Sequence, residues 1–214
     1  MQLINIFLCS FLLLSTSALA ADAQLEKIGS VPEGIAPEVA ALLTPDGVRV
    51  SSGGSTIGEF WLRQEMSLND SPGSQLGVTF GKLPAGTLVG VVHFPESWKD
   101  YKDQPIAAGV YTLRYGVQPA DGNHMGVSVY RDFLLLAPAA EDSSAAAIED
   151  GEALVKLSTK TTGTPHPAIL ALFPLYEEIS EPTLVQNEMD QPTLAVTIGS
   201  VTLGLVIQGH GEVL

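Results

Sequence analysis

The chain has 214 residues, and its 24 acidic side chains outnumber the ten basic ones, which gives a formal net charge of −14. This balance disfavours partners that present phosphates, because nucleic acids and anionic membrane surfaces are bound through clustered Lys and Arg. We therefore expect no nucleic-acid partner, and we interpret the acidity as a source of solubility and self-repulsion. Calcium binding is the other interpretation, but the sequence lacks an Asp-x-Asp-x-Asp-Gly loop with its closing Glu.

Residues 1–20 are predicted to be an export signal. An apolar stretch that begins at Ile6 leads into Ser17-Ala18-Leu19-Ala20, which is typical of a processing site cleaved after Ala20. A membrane anchor is the competing interpretation, but the stretch is shorter than the roughly 20 apolar residues that a spanning helix needs. We expect an exported protein, in the periplasm or outside the cell, with no stable membrane anchor once the signal is removed.

Cleavage at this site would remove Cys9, which is the only cysteine of the chain. The remaining protein would then have no disulfide bond, no cysteine nucleophile, no thiolate zinc site and no iron-sulfur cluster. Its stability would come from an ordinary hydrophobic core, which a domain of this length can form.

The remainder is predicted to fold as one β domain. Residues 21–47 are a Pro/Ala-rich segment with a short predicted helix over 37–43. From 48 to 214, short apolar runs bounded by Gly, Pro, Asn and Asp predict a single antiparallel β-sandwich, Ig-like or jelly-roll-like. The predicted strands are 48–51, 57–64, 76–80, 87–94, 110–118, 132–137, 169–173, 183–187, 193–198 and 202–208.

One helical insertion is predicted around 143–160, between the sixth and seventh strands. Three consecutive alanines favour a helix there, and Ile148, Leu154 and Leu157 follow at helical spacing, with Gly163 beyond them as a stop. Gly151 lies inside the run and is expected to weaken or divide the helix.

Two neighbouring segments carry a resemblance. They are Ala108-Gly109-Val110-Tyr111-Thr112-Leu113-Arg114-Tyr115 and Pro119-Ala120-Asp121-Gly122-Asn123-His124. The part that begins at Gly109 is similar to a tyrosine corner, in which a Tyr hydroxyl bonds nearby backbone. Together the segments resemble uncharacterised exported bacterial β-sandwich proteins over 83–138. The resemblance implies a fold class and a bacterial envelope setting, and it transfers no functional residue.

The densest polar grouping of the chain lies between Tyr111 and Asp132. The candidate ligand-binding residues are Arg114, Tyr115, Asp121, His124, Arg131 and Asp132. Asp121-Gly122-Asn123 is typical of a turn, which would place His124 at the start of a loop facing solvent. The alternative is structural, with these groups capping the long loop and pairing with one another.

Three histidines support an alternative, enzymatic hypothesis. His124, His166 and His210 lie close to Gly or Pro, which indicates loops, and a sandwich can bring distant loops together at one end. With Asp132 or Glu212 they would supply nitrogen and oxygen ligands suited to zinc, copper or iron.

Aromatic residues give a further candidate. The loop Trp98-Lys99-Asp100-Tyr101 would allow stacking on a sugar, as exposed aromatic faces do. The alternative is a loop pinned by a buried Trp, because large aromatic side chains usually bury much of their area. Trp61 is predicted to lie in the core.

Familiar catalytic patterns are absent from the sequence, which contains no H-E-x-x-H, G-x-S-x-G, G-x-G-x-x-G or P-loop. Glu59, Glu65 and Asp132 are conceivable as paired carboxylates of a glycosidase, but the sequence does not give the separation that such a pair requires. His93 lies in an apolar run and is predicted to be a strand residue with a satisfied hydrogen bond.

These observations favour an acidic, exported binding or accessory protein of the cell envelope over an enzyme. Its partner would be a small molecule, a glycan or a protein, and no cofactor is predicted. The alternative is a metal-dependent enzyme in which His124, His166 and His210 hold a divalent transition metal.

Overall fold

The computed structural model describes residues 23–72, 75–119, 130–177 and 179–208, and these ranges fold as a mainly β protein. The elements are β1 (Gln24–Ile28), α1 (Pro37–Ala40), β2 (Gly47–Ser52), β3 (Ser55–Leu62), β4 (Leu88–Phe94), β5 (Trp98–Lys99), β6 (Pro105–Ile106), β7 (Gly109–Val117), β8 (Asp132–Pro138), α2 (Gly151–Thr162), β9 (Ala168–Phe173), β10 (Thr183–Gln186), β11 (Pro192–Ile198) and β12 (Val201–Val206). Neither helix in the described residues is long and apolar enough to cross a membrane.

Ten strands form one antiparallel sheet in the order β1-β2-β3-β4-β7-β8-β9-β12-β11-β10, and β5 pairs with β6 separately. The strands follow chain order as far as β9. The chain then skips to β10 at the far edge and returns through β11 to β12, so that β9 to β12 form a Greek key. We call the end of the sheet with Leu62 and Leu88 the upper end, and the end with Ser55 and Phe94 the lower end.

The sheet curls until it nearly closes into a barrel. Its two edge strands, β1 and β10, approach each other without a hydrogen-bonded ladder in the described residues. On the other side, β9 and β12 are joined by only two residue pairs, one of which is Phe173 with Gly204. A Cβ on Gly204 would lie 2.9 Å from the Phe173 carbonyl oxygen, so glycine permits this close pairing. Two separate sheets packed face to face, as in the predicted sandwich, are not confirmed.

A single core fills the interior of the curled sheet. Alternate residues of each strand point inward, as strand geometry requires. Buried interior side chains include Phe60, Val92, Leu113, Leu134, Leu170, Val196 and Leu205. Each such aliphatic or aromatic side chain contributes about 1.5–3 kcal/mol when it is fully buried.

Parts of the outer face are also buried. The segment that includes α1 covers Trp61, whose indole Nε1 donates to the carbonyl oxygen of Gly29 at 3.0 Å, and Val39 and Leu43 pack in the same cluster. Tyr101 packs with outward residues of β8 and β9 in a second cluster. Burial on both faces explains why β4 and β8 are almost continuously apolar.

Helix α2 begins later than predicted. The carboxylate of Asp150 accepts hydrogen bonds from the backbone N–H of Glu152 and of Ala153, and this N-cap sets the start at Gly151. Gly151 is therefore the first residue of the helix and does not divide it. The predicted stop is confirmed, since Gly163 adopts the left-handed conformation with φ 64°.

Most predicted strands are confirmed within two residues of their ends, but the predicted strand 76–80 is wrong, because this segment contains turns. Strand β1 and the short β5 and β6 were not predicted from the sequence. The Tyr111 hydroxyl donates to the carbonyl oxygen of Ala107 at 2.8 Å, which is the backbone contact expected of a tyrosine corner.

Candidate functional site

Arg114 is fully buried on the outer face of β7, where its guanidinium is bound entirely by protein groups. Nε and Nη2 donate to the two carboxylate oxygens of Asp142 at 2.6 and 2.7 Å. Nη1 donates to the carbonyl oxygens of Gly86 and Ala146 at 2.9 Å, and Nη2 also donates to that of Ser144 at 2.5 Å. This predicted ligand-binding residue therefore fixes the chain after β8 against the sheet.

Tyr115 and Asp132 point to the opposite face, into the upper end of the core. The Tyr115 hydroxyl donates to the Asp132 carboxylate at 2.6 Å, and burial with this hydrogen bond raises the pKa of Tyr115. The same carboxylate accepts from the backbone N–H of Thr79 at 2.8 Å and of Phe80 at 3.2 Å. The amides of the wrongly predicted strand are thus bound by a side chain rather than by a ladder.

Arg131 precedes Asp132 in the chain and also binds backbone groups of nearby loops. Its guanidinium donates to the carbonyl oxygens of Gln118 and Leu76, the latter at 3.0 Å. Asp121 and His124, which were predicted with it, lie outside the described residues. The structure therefore brings Tyr115, Arg131 and Asp132 together around the segment that follows residue 75, and places Arg114 on the other side of the sheet.

The metal hypothesis stays a prediction, because His124 and His210 lie outside the described residues. His166 is exposed on the connection between α2 and β9, at the lower end. Within the described part of the chain, no three His, Cys, Asp or Glu side chains are grouped so that they could hold a metal ion.

The loop after β4 is held by buried side chains. The Asp100 carboxylate accepts from the backbone N–H of Lys102, Gln104 and Ile169 at 2.9–3.1 Å, and Asp100 and Tyr101 are almost fully buried. They do not form an exposed sugar platform with Trp98, which is itself only partly buried.

A row of charged side chains crosses the outer face of β1 to β4. Arg49 donates to Glu26 at 2.8 Å and to Glu59 at 2.8 Å, and His93 Nδ1 lies 2.7 Å from the second oxygen of Glu59. Burial would raise the pKa of Glu59, but the hydrogen bonds and charges of His93 and Arg49 outweigh it, and the net pKa shift is downward. His93 is confirmed as a hydrogen-bonded strand residue. Glu59 and the inward-pointing Asp132 do not face each other.

An opening of about 430 Å³ lies at the upper end of the sheet, and we call it the mouth cavity. It lies where β1 to β3 face β10 and β11 across the open side of the sheet. Its apolar floor is formed by core and near-core side chains, namely Leu25, Val48, Phe60, Leu62, Val196 and Ile198. The cavity therefore reaches the interior of the fold from solvent.

Four charged side chains line the rim of the mouth cavity: Lys27, Asp46, Arg63 and Glu181. Lys27 Nζ lies 2.6 Å from the Asp46 carboxylate, and this hydrogen bond, with the charges of Asp46 and Glu181, raises the pKa of Lys27. Lys27 is thus already matched by acidic groups.

Arg63 differs from Lys27 because it has no carboxylate of the described residues within salt-bridge distance. Its Nε donates to the carbonyl oxygen of Glu65 at 2.9 Å, and partial burial lowers its pKa. A guanidinium retains its charge despite such a shift. The mouth cavity therefore combines an apolar floor with a guanidinium that forms no salt bridge within the described residues.

The mouth cavity was not predicted from the sequence. Arg63 directly follows the apolar run Phe60-Trp61-Leu62, and this position at a strand end was its only sequence signal. The rim also needs Lys27 and Glu181, which are far apart in the chain and meet only when the sheet curls.

Comparison of the chain with protein-family models, with curated proteins and with solved structures gives no match.

Replacing Asp142 by Ala should destabilise the protein by about 3–5 kcal/mol, because the buried Arg114 guanidinium would lose its only carboxylate. The free energy of unfolding in urea measures this effect. Glu141→Ala is the matched control, since Glu141 makes only an exposed ion pair with Lys160, and should cost less than about 1 kcal/mol. Equal effects of the two substitutions would contradict the structural role given to Arg114.

Replacing Glu59 by Gln should lower the free energy of unfolding at pH 7 by about 1–2 kcal/mol, because charge-assisted hydrogen bonds weaken. The folded-state pKa of Glu59 is depressed, so this stabilisation is complete above the unfolded value of about 4.3 and is lost as pH falls through the folded pKa. The gap between variant and wild type should therefore shrink below about pH 4. The exposed Glu33→Gln serves as control, and a pH-independent gap would disprove the assignment.

Proposed function

We propose that the protein is an exported binding protein of the bacterial cell envelope whose mouth cavity holds a small amphipathic anion. The observation that carries the proposal is Arg63, a half-buried cation without a carboxylate partner in the described residues, beside an apolar floor that opens to solvent.

The size and lining of the mouth cavity support a small-molecule ligand. A volume of about 430 Å³ falls within the range of ligand sites, which are mostly apolar with a few placed polar groups. Leu25 and Val48 are partly exposed at the apolar floor, so an apolar chain that packed against them would be partly removed from water. Its transfer would yield roughly 25 cal/mol for each Å² buried.

The charges at the rim support an anionic head group. Asp46 already pairs with Lys27, whereas the Arg63 guanidinium has no ion pair in the described residues and is available for a carboxylate or sulfonate. Guanidinium binds such oxyanions through paired hydrogen bonds to two of their oxygens. The ligand would be a short-chain carboxylate or a molecule of similar shape and charge.

Export is part of the proposal and rests on the pattern at residues 1–20. The first described strand begins at Gln24, so cleavage after Ala20 would leave every described strand and helix in place. Expression of the full chain in a bacterial host should yield an extracytoplasmic product whose N-terminal sequence begins at Ala21. A product that retains Met1, or remains in the cytoplasm, would refute export without affecting the mouth cavity.

Octanoate is a suitable probe of the mouth cavity. We expect it to bind the wild-type protein, and we expect Arg63→Gln to weaken binding about tenfold or more, because a hydrogen bond to a charged group contributes about 1.5–3 kcal/mol. Isothermal titration calorimetry measures both affinities. The affinity for octanol, which lacks the negative charge, should change less than about threefold on this substitution.

Lys156→Gln is the control, because Lys156 is an exposed cation of α2 that does not line the mouth cavity. It should leave octanoate binding unchanged. Absence of octanoate binding to the wild type, or equal affinity of Arg63→Gln, would overturn the proposed ligand class.

A further inference from the structure

A second cavity, of about 330 Å³, lies at the lower end of the sheet and contains the partly buried Trp98. We call it the Trp98 cavity. It is bounded by the β2–β3 hairpin, by the segment just after β4 and by Gln208, which follows β12. The mouth cavity is at the opposite end, so the two share no lining residue.

The orientation of the Trp98 indole is fixed by two contacts. One ring face stacks on Phe94, with centroids 4.6 Å apart and an interplanar angle of 9°. Nε1 donates to the carbonyl oxygen of Ile207 at 3.1 Å. Trp98 lines the cavity and is partly exposed, whereas Phe94 does not line it. Because these contacts already hold the indole in place, a ligand that stacked on it would cost little additional side-chain entropy.

Polar groups of several kinds surround this aromatic surface. Glu96 provides a carboxylate that accepts hydrogen bonds, and Gln208 provides an amide that both donates and accepts. Both side chains are exposed, and the hydroxyls of Thr56 and Ser97 add further donors and acceptors. The cavity contains one acidic and one basic side chain, Glu96 and Lys99, so its formal charges balance.

We propose that the Trp98 cavity binds one pyranose ring of a carbohydrate. A pyranose has an apolar C–H face that stacks on an aromatic ring and a rim of hydroxyls that both donate and accept hydrogen bonds. The Trp98 surface matches the face, and Glu96 and Gln208 match the hydroxyls. A neutral sugar also suits a cavity whose formal charges balance.

The test uses the two indole N–H resonances of the full protein in nuclear magnetic resonance titrations. Trp61 is buried and bonded to Gly29, so its resonance serves as an internal reference, with Trp61→Phe used for assignment. The probes are the methyl glycosides of glucose, galactose, mannose and N-acetylglucosamine. At least one should shift the Trp98 resonance in a saturable way and leave that of Trp61 unchanged.

Glu96→Gln and Gln208→Ala should each weaken the affinity for that glycoside about fivefold to tenfold, because the first replaces a charged hydrogen-bond acceptor by a neutral one and the second removes the amide. Both positions are exposed, and the free energy of unfolding should stay at the wild-type value. Glu177→Gln, an exposed substitution outside the Trp98 cavity, should leave the affinity unchanged.

Two outcomes would overturn the proposal. One is the absence of a Trp98 shift with all four glycosides at about 0.1 M, far above the Kd of a millimolar site. The other is unchanged affinity in both Glu96→Gln and Gln208→Ala. Neither outcome bears on octanoate binding, which depends on Arg63 at the other end of the sheet.

Discussion

The two-residue pairing of β9 with β12 is the connection on which the enclosed core depends. It joins the group β1 to β9 to the group β10 to β12, and the opposite side of the sheet has no ladder between β1 and β10 in the described residues. Without this short contact the two groups would lack a common hydrogen-bonded boundary. Side chains from both groups, such as Phe60 and Val196, pack in one core, so apolar burial and strand pairing support each other here.

Buried polar side chains complete the fold by taking over the hydrogen bonds of loop backbone. Arg114 binds three loop carbonyl oxygens, Asp132 binds two loop amides, and Asp100 binds the amides of its own loop and of β9. Each of these side chains is almost fully removed from water. Burial of a charge is tolerated only when its hydrogen bonds are satisfied, and the loops supply the partners. Polar residues that look functional in the sequence therefore have structural partners in the described residues.

The sequence predicted the sheet better than it predicted the irregular segments. Alternating apolar residues in β3 and β7 indicate strands because local periodicity reflects burial directly. Local propensity favours a helix at the alanines before α2 and a strand around Thr79. Neither forms there, because the distant side chains of Arg114 and Asp132 bind the backbone groups of these segments. A similar limit applies to the candidate sites: Trp98 is recognisable as an unusual loop aromatic, whereas the rim around Arg63 requires the folded sheet.

The two free edges of the sheet have a consequence for association between copies of the protein. An exposed edge strand is a template for intermolecular pairing, which long and apolar edges promote. Here β1 has five residues and carries Glu26 and Lys27, while β10 has four and follows Pro182, which has no backbone N–H to donate. With a formal net charge of −14, these edges would repel approaching copies. The short length, charged residues and proline of these edges thus disfavour fibril growth from the open side of the sheet.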